Sequence, residues 1–282
     1  MKILISADME GTCGVSSWVQ VTPPENAGPG TPASTAEYER ARLRMTREVN
    51  AAIEGALAGG ATDVIVNDAH NGMRNLVPDE LHPAAQFVAG NDKPLVMMQG
   101  VEEVGVRAAF YTGYHARAGT PDGPLAHTWS LSIHDVRVNG VSMGEYGVNA
   151  IVAGHFDVPV ALVSGDNRAV EQTRELLGQQ VEGAVVKDGY SVTSAVHVQP
   201  EEARRIIRDA AERAVRNIDA MQVYRIPDGA TVEIDFDHQT RASHAAEVTG
   251  VELVGARTIS YRPADALDFH RYFRAVTRAA QM

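Results

Sequence analysis

Cysteine is almost missing from this chain: Cys13 is the only one in 282 residues. That excludes a disulfide within the chain and any zinc site built on several thiolates. Positive charge is also scarce. Lys and Arg number 25 against 36 Asp and Glu, a formal net charge of −11 with no basic cluster to offset it. Such a balance argues against a nucleic-acid partner and against anionic membrane surfaces. No apolar run approaches membrane-spanning length, and neither an h-region nor a cleavage site follows the first residues. The expected compartment is the cytoplasm. No GxxxxGK[ST] phosphate loop, no GxGxxG after a strand and no GxSxG elbow occurs either.

What is present suffices for one large α/β domain, or a large domain with a smaller companion: 44% hydrophobic and 22% charged residues. The organising stretch is MKILISADMEGTCG at 1–14. Ile3, Leu4 and Ile5 form the apolar run of a central strand buried on both faces. The run gives way to Asp8 and Glu10, which project to the same side because they lie two apart on extended backbone. Two carboxylates held so close remain anionic when a cation sits between them. The competing reading is a polar strand end turning into a loop.

Residues 20–35 (QVTPPENAGPGTPAST) read as a long mobile loop, either a lid over that strand end or surface ornament. A helix is expected over 36–57, with Tyr38, Ala41, Met45, Val49, Ile53 and Leu57 on one face, Ser34 or Thr35 as cap and Gly59-Gly60 as stop. Strands at 63–67, 108–115 and 158–164 each run into polar residues: Asn67, Asp68 and His70; His115; Asp166. A hairpin is expected over 127–143 with Asn139-Gly140 as its turn, then a helix over 144–155. Alternating strands and helices predict a mostly parallel sheet with helices on both faces, whose ligand site lies off the carboxyl ends of the strands. From about residue 190 the pattern changes to a strongly amphipathic helix (200–221), strands (231–236, 251–261) and a closing helix (263–280). We read 1–190 as a metal-binding catalytic α/β domain and 191–282 as a smaller α+β domain packed against it.

Asp8, Glu10, His70, His115 and Glu145 bring carboxylate and imidazole donors from four segments. That mixture suits zinc or a similar transition metal, and a pair of ions better than one. Glu145 also reads as a first-turn helix carboxylate favoured by the macrodipole. His127, in PLAHTW at 124–129, could shuttle protons, steady an oxyanion or simply pack beside Trp129. Cys13 reads as a small buried thiol. Asp235, Asp237, His238 and His244 read as a surface cluster.

The blocks SADMEG (6–11), VNDAHNGM (66–73), GYHARAGTP (113–121), AHTWS (126–130) and MGEYGVNAIVAGHFDVPVALVSGD (143–166) resemble the zinc D-aminopeptidases encoded with dipeptide transporters. The resemblance implies two zinc ions per subunit. Asp8 would bridge them, Glu10, His70, His115 and Glu145 would complete the ligand set, and His127 would be the catalytic histidine. It further implies a ring-shaped homodecamer acting on short peptides with a free amino end, including D-amino-acid peptides. The 20–35 loop is longer and richer in Pro and Gly than the family pattern. Another two-metal amidase or phosphoesterase, or a non-catalytic peptide-binding protein linked to transport, are the alternatives.

Overall fold

The computed structural model describes residues 1–28 and 33–281. Its centre is a seven-stranded sheet in the order β3 (Ala85–Val88), β2 (Asp63–Asp68), β1 (Lys2–Ala7), β4 (Val106–Tyr114), β7 (Val160–Asp166), β8 (Glu182–Ser191) and β9 (Ser194–His197). All neighbours run parallel except β9, which is antiparallel to β8. β1 lies mid-sheet with Ile3 to Ala7 wholly inaccessible, which is why its sequence is an unbroken apolar run rather than an alternation.

One face is covered by α2 (Thr35–Gly59) and α5 (Pro200–Arg216), whose Met45, Ile53, Ile207 and Val215 join Ile3, Ile5 and Phe110 in one core. The two helices approach closely because α2 carries glycine where they cross. A Cβ on Gly55 would lie 2.1 Å from the Arg208 carbonyl oxygen. The other face is covered by α3 (Glu145–His155) and α4 (Asn167–Leu177).

A second, antiparallel sheet has the order β11 (Val251–Leu253), β12 (Thr258–Tyr261), β10 (Val232–Phe236), β5 (Ile133–Val138) and β6 (Val141–Ser142). The β5–β6 turn is Asn139-Gly140, both at positive φ (50° and 80°), as a two-residue hairpin turn requires. α6 (Gln239–Ala245) and α7 (Ala266–Ala279) pack on this sheet. β5 pairs with β10 nearly a hundred residues away, Ile234 facing Val136 and Val232 facing Val138. The two sheets therefore interleave along the chain: β5 and β6 lie before residue 190 yet belong with β10 to β12, while β9 and α5 lie after it yet complete the parallel layer.

α3 is the wedge between them. Every residue from Glu145 to Gly154 is buried, Tyr146, Ala150 and Ala153 against the parallel sheet and Val148 and Ile151 against the antiparallel one. A helix apolar all round belongs in such a position.

Several expected bounds shift. The strand expected over 251–261 is two short strands, and the helix expected over 200–221 stops at Arg216, with a separate turn of 3-10 helix at Ile218–Ala220. Ser34 occupies the cap position of α2 without a side-chain capping bond. In the expected 20–35 loop, residues 29–32 lie outside the described residues. Before them, α1 (Trp18–Val21) and a 3-10 turn (Pro24–Asn26) fold down, burying Val21 and Thr22.

Candidate metal centre

Asp8 leaves the end of β1 with its N–H donated to the Thr112 carbonyl at 2.8 Å, and Gly11 N–H reaches Gly113 at 2.7 Å. Glycine is needed at both contacts. A Cβ on Gly11 would stand 1.9 Å from the Tyr114 carbonyl oxygen, and one on Gly113 (φ +68°) would stand 2.2 Å from that of Asp8. The ends of β1 and β4 thus meet, and Asp8, Glu10 and His115 converge.

His70 arrives from the loop after β2. Asp68 shapes that loop by accepting the N–H groups of Asn75 (2.5 Å) and Leu76 (2.8 Å), while Asn75 Nδ2 donates to the His70 carbonyl at 2.6 Å. Asp166 caps α4, accepting from Arg168 and Ala169 (both 2.9 Å), and also takes Ala116 N–H at 3.2 Å beside His115. The polar strand ends Asp68 and Asp166 therefore hold loops rather than join the cluster. Glu145 is the first residue of α3, and its Oε1 accepts the N–H of Trp129 at 2.7 Å. Trp129 sits at φ +66°, a strained conformation for a bulky residue and typical of functional sites.

All five expected ligands come together. Asp8, Glu10, His70, His115 and Glu145 are each at most 6% exposed. Two donor groups form, Asp8 with Glu10 and His70, and His115 with His127 and Glu145, the donor atoms within each lying within 4.8 Å of one another. Asp8 faces both: its Oδ1 is 3.4 Å from His70 Nδ1 and its Oδ2 is 3.4 Å from His115 Nε2. His70 Nδ1 is also 3.0 Å from Glu10 Oε2, and His115 Nε2 is 3.4 Å from Glu145 Oε1.

The tautomers are set by backbone carbonyls. His70 Nε2 donates to Val21 (2.7 Å), His115 Nδ1 to Ala116 (3.0 Å) and His127 Nδ1 to Leu125 (2.9 Å). When neutral, each ring thus turns a lone pair on its other nitrogen toward the carboxylates, the arrangement that orients metal-binding histidines. Asp8 Oδ2, Glu10 Oε2 and His115 Nε2 are buried with no hydrogen-bond partner. Buried polar atoms are seldom left so, and carboxylate and imidazole atoms orphaned around one point fit a cation.

Charge tells the same story. Burial, with Glu10 alongside, pushes Asp8 up to about 7. Burial would lift Glu10 too, but the neighbouring His70 outweighs it and holds that carboxyl well below its usual range. Burial depresses His115, yet Glu145 and Asp8 reverse this and raise it to about 10. Protons on the imidazoles supply the positive charge a metal would bring. His127 behaves differently: burial, then the charge of His115, pushes it below 6.5. Its ring stacks on His115 at 4.1 Å and meets the edge of Trp18 at 5.6 Å, and its Nε2 is 3.7 Å from Glu145 Oε1.

Asp8, Glu10, His70, His127 and Glu145 floor a cavity of about 580 Å³ walled by Trp18, Trp129, Leu131 and Arg274. Cys13 is buried, its thiol raised to about 11, chiefly by burial, and acts as an inert core residue. Asp237, His238 and His244 are exposed, and Asp235 is held by Arg137 at 2.6 Å; none lines the cavity. Sequence reasoning passed over two buried lysines, Lys187 and Lys93. The available signal for Lys187 was its place at the end of the apolar stretch Ala184-Val-Val.

The chain also resembles known proteins over nearly its whole length. A D-aminopeptidase family, peptidase M55, matches residues 1–275. The chain is 34% identical over 281 residues to the D-aminopeptidase of Bacillus subtilis (strain 168), covering 99% of this chain and 98% of that one. Its structure is similar to that of the Zn-dependent D-aminopeptidase DppA from Bacillus subtilis, a self-compartmentalizing protease, with a TM-score of 0.91 and 34% identity over 99% and 98% of the two chains. On fold, site and sequence together, the chain belongs to the peptidase M55 family of D-aminopeptidases.

Proposed function

We propose that this chain is a zinc-dependent aminopeptidase that carries two zinc ions per subunit and removes the first residue of short peptides, D-configured ones included. Asp8, Glu10 and His70 would hold one ion, His115 and Glu145 the other, with Asp8 shared between them. The observation that carries this is Asp8 itself, a buried carboxylate turning one oxygen to each donor group.

When bound, the ions would polarise the scissile carbonyl and lower the pKa of water toward neutrality. His127 is the proton carrier. Its Nδ1 is occupied by the Leu125 carbonyl, so the basic Nε2 faces the cavity. It takes the proton released as water adds to the carbonyl and returns it to the departing amine. Trp18 and Trp129 narrow the cavity, whose volume of about 580 Å³ suits a short peptide rather than a folded chain.

The test is metal analysis of the purified protein with a panel of L- and D-configured dipeptides and aminoacyl amides, before and after chelation. Two zinc ions per chain, with amine release that is lost on chelation and restored by zinc, is the expected result. Zinc-free protein with full activity after chelation would refute it. Tight binding of intact dipeptide with no amine released would mark a non-catalytic binding protein instead. We further propose a cytoplasmic ring-shaped homodecamer, which light scattering of the eluting protein would test. Among the described residues no helix is long and apolar enough to cross a membrane.

A further inference from the structure

Two lysines are buried beside the centre without touching the cavity. Lys187, on β8, is 1% exposed. Its Nζ donates to three backbone carbonyls of one turn: Val15 at 2.7 Å, Thr12 at 3.3 Å and, in the closest contact, Glu10. An ammonium has three N–H donors, and all three are spent on the chain that carries Glu10. Three carbonyl oxygens aimed at one point repel one another unless a cation sits there. Glu48 also steadies this turn, accepting Cys13 N–H at 2.8 Å.

Lys93 repeats the device on the other side of β1. It is 7% exposed, and its Nζ donates to Asn67 Oδ1 and to the Asp68 carbonyl, both at 2.6 Å. Asn67 is held in turn, donating to the Val96 carbonyl at 2.9 Å. Asp68 lies two residues before His70, so Lys93 fixes the root of the loop that presents that imidazole.

We propose that Lys187 and Lys93 are positioning residues for the metal centre, each setting through backbone carbonyls the segment that presents one ligand, Glu10 for Lys187 and His70 for Lys93. Both ligands belong to the donor group they share with Asp8. This inference rests on the zinc reading above. A solvated surface lysine could not do this work, because it would be free to swing away. Burial confines both ammonium groups, Lys187 with all three donors engaged and Lys93 with two.

The experiment uses the full chain as wild type, Lys187→Met, Lys93→Met and Lys93→Arg, each stripped by chelation. Zinc affinity is measured by competition with a chelating dye, the visible bands of the cobalt(II)-loaded protein are recorded, and the melting temperature of the metal-free form is taken. Supporting groups around metal ligands contribute roughly 10- to 100-fold in affinity. We expect a loss of that order in both Met variants, with shifted cobalt bands, and partial recovery in Lys93→Arg, which can donate to the same two oxygens. A folded Met variant that binds zinc within about twofold of wild type, with unchanged cobalt bands, would overturn the inference even if its melting point fell. Failure of both Met variants to fold would overturn it too, by making the lysines purely structural. Wild-type protein that takes up no zinc would instead sink the zinc reading on which this rests.

Discussion

Replacing His127 with alanine separates the two jobs open to that side chain, ligand or proton carrier. Its Nε2 lies 3.7 Å from Glu145 Oε1 and its ring stacks on His115, close enough to join the His115–Glu145 donor group. The carbonyl anchor on Nδ1 and a pKa below 6.5 suit a neutral base instead. The substitution removes one hydrogen bond and a mostly buried ring, about 1–2 kcal/mol, against a total stability of about 5–15 kcal/mol. The variant should fold. General acid–base help is worth roughly 10²- to 10⁴-fold, or about 3–5 kcal/mol in the barrier. Turnover of a D-configured dipeptide should drop by that factor with zinc content unchanged at two per chain. The wild-type rate should also fall on acidification through a value below 6.5, as the base protonates. Turnover within about threefold of wild type would refute the proton-carrier role. Loss of one zinc together with activity would refute it as well, by making His127 a ligand.

Three further outcomes are expected. Metal-free protein should lose stability as pH rises. The folded value of His115, about 10, lies above the unfolded value near 6.5, so its contribution is complete below pH 6.5 and vanishes by about pH 10. Melting curves of stripped protein that stay flat across that window would contradict this, while zinc-loaded protein should be far less sensitive. Gly11→Ala would force a Cβ to 1.9 Å from the Tyr114 carbonyl oxygen and should cost about 3 kcal/mol by denaturant titration, with zinc affinity falling as β1 and β4 part. Asp166→Ala removes the cap of α4 and the partner of Ala116 N–H; about 1–3 kcal/mol is expected, with zinc binding weakened through His115 rather than abolished.

The parallel sheet and the acidic and imidazole side chains that gather at its carboxyl edge were legible in the sequence because each depends on local pattern. Ile3-Leu-Ile5 is an apolar run of a kind that only a strand buried on both faces requires, and Asp8 and Glu10 break it with the period of a strand. Other features rest on partners far along the chain. Nothing near Ile133 to Val138 announces that it will pair with β10, since register between distant antiparallel strands is written in neither segment alone. The same holds for α3: its sequence tells of burial, not of two sheets sharing it. The role of Lys187 was hidden for a different reason. Charged residues are read as solvated by default, and three carbonyls converging on one ammonium exist only once the turn at 10–15 is folded.

The wedge position of α3 has a consequence for anyone wishing to trim this protein. Cutting after residue 190 would strip β10 from β5 and leave Ile133, Val136 and Val138 facing water. It would also remove the wall against which Val148 and Ile151 rest. With one side unsupported, the helix would lose the seat of its first residue, and that residue is Glu145. The carboxyl-terminal third is therefore no detachable accessory: it is the clamp that keeps the last acidic donor in place.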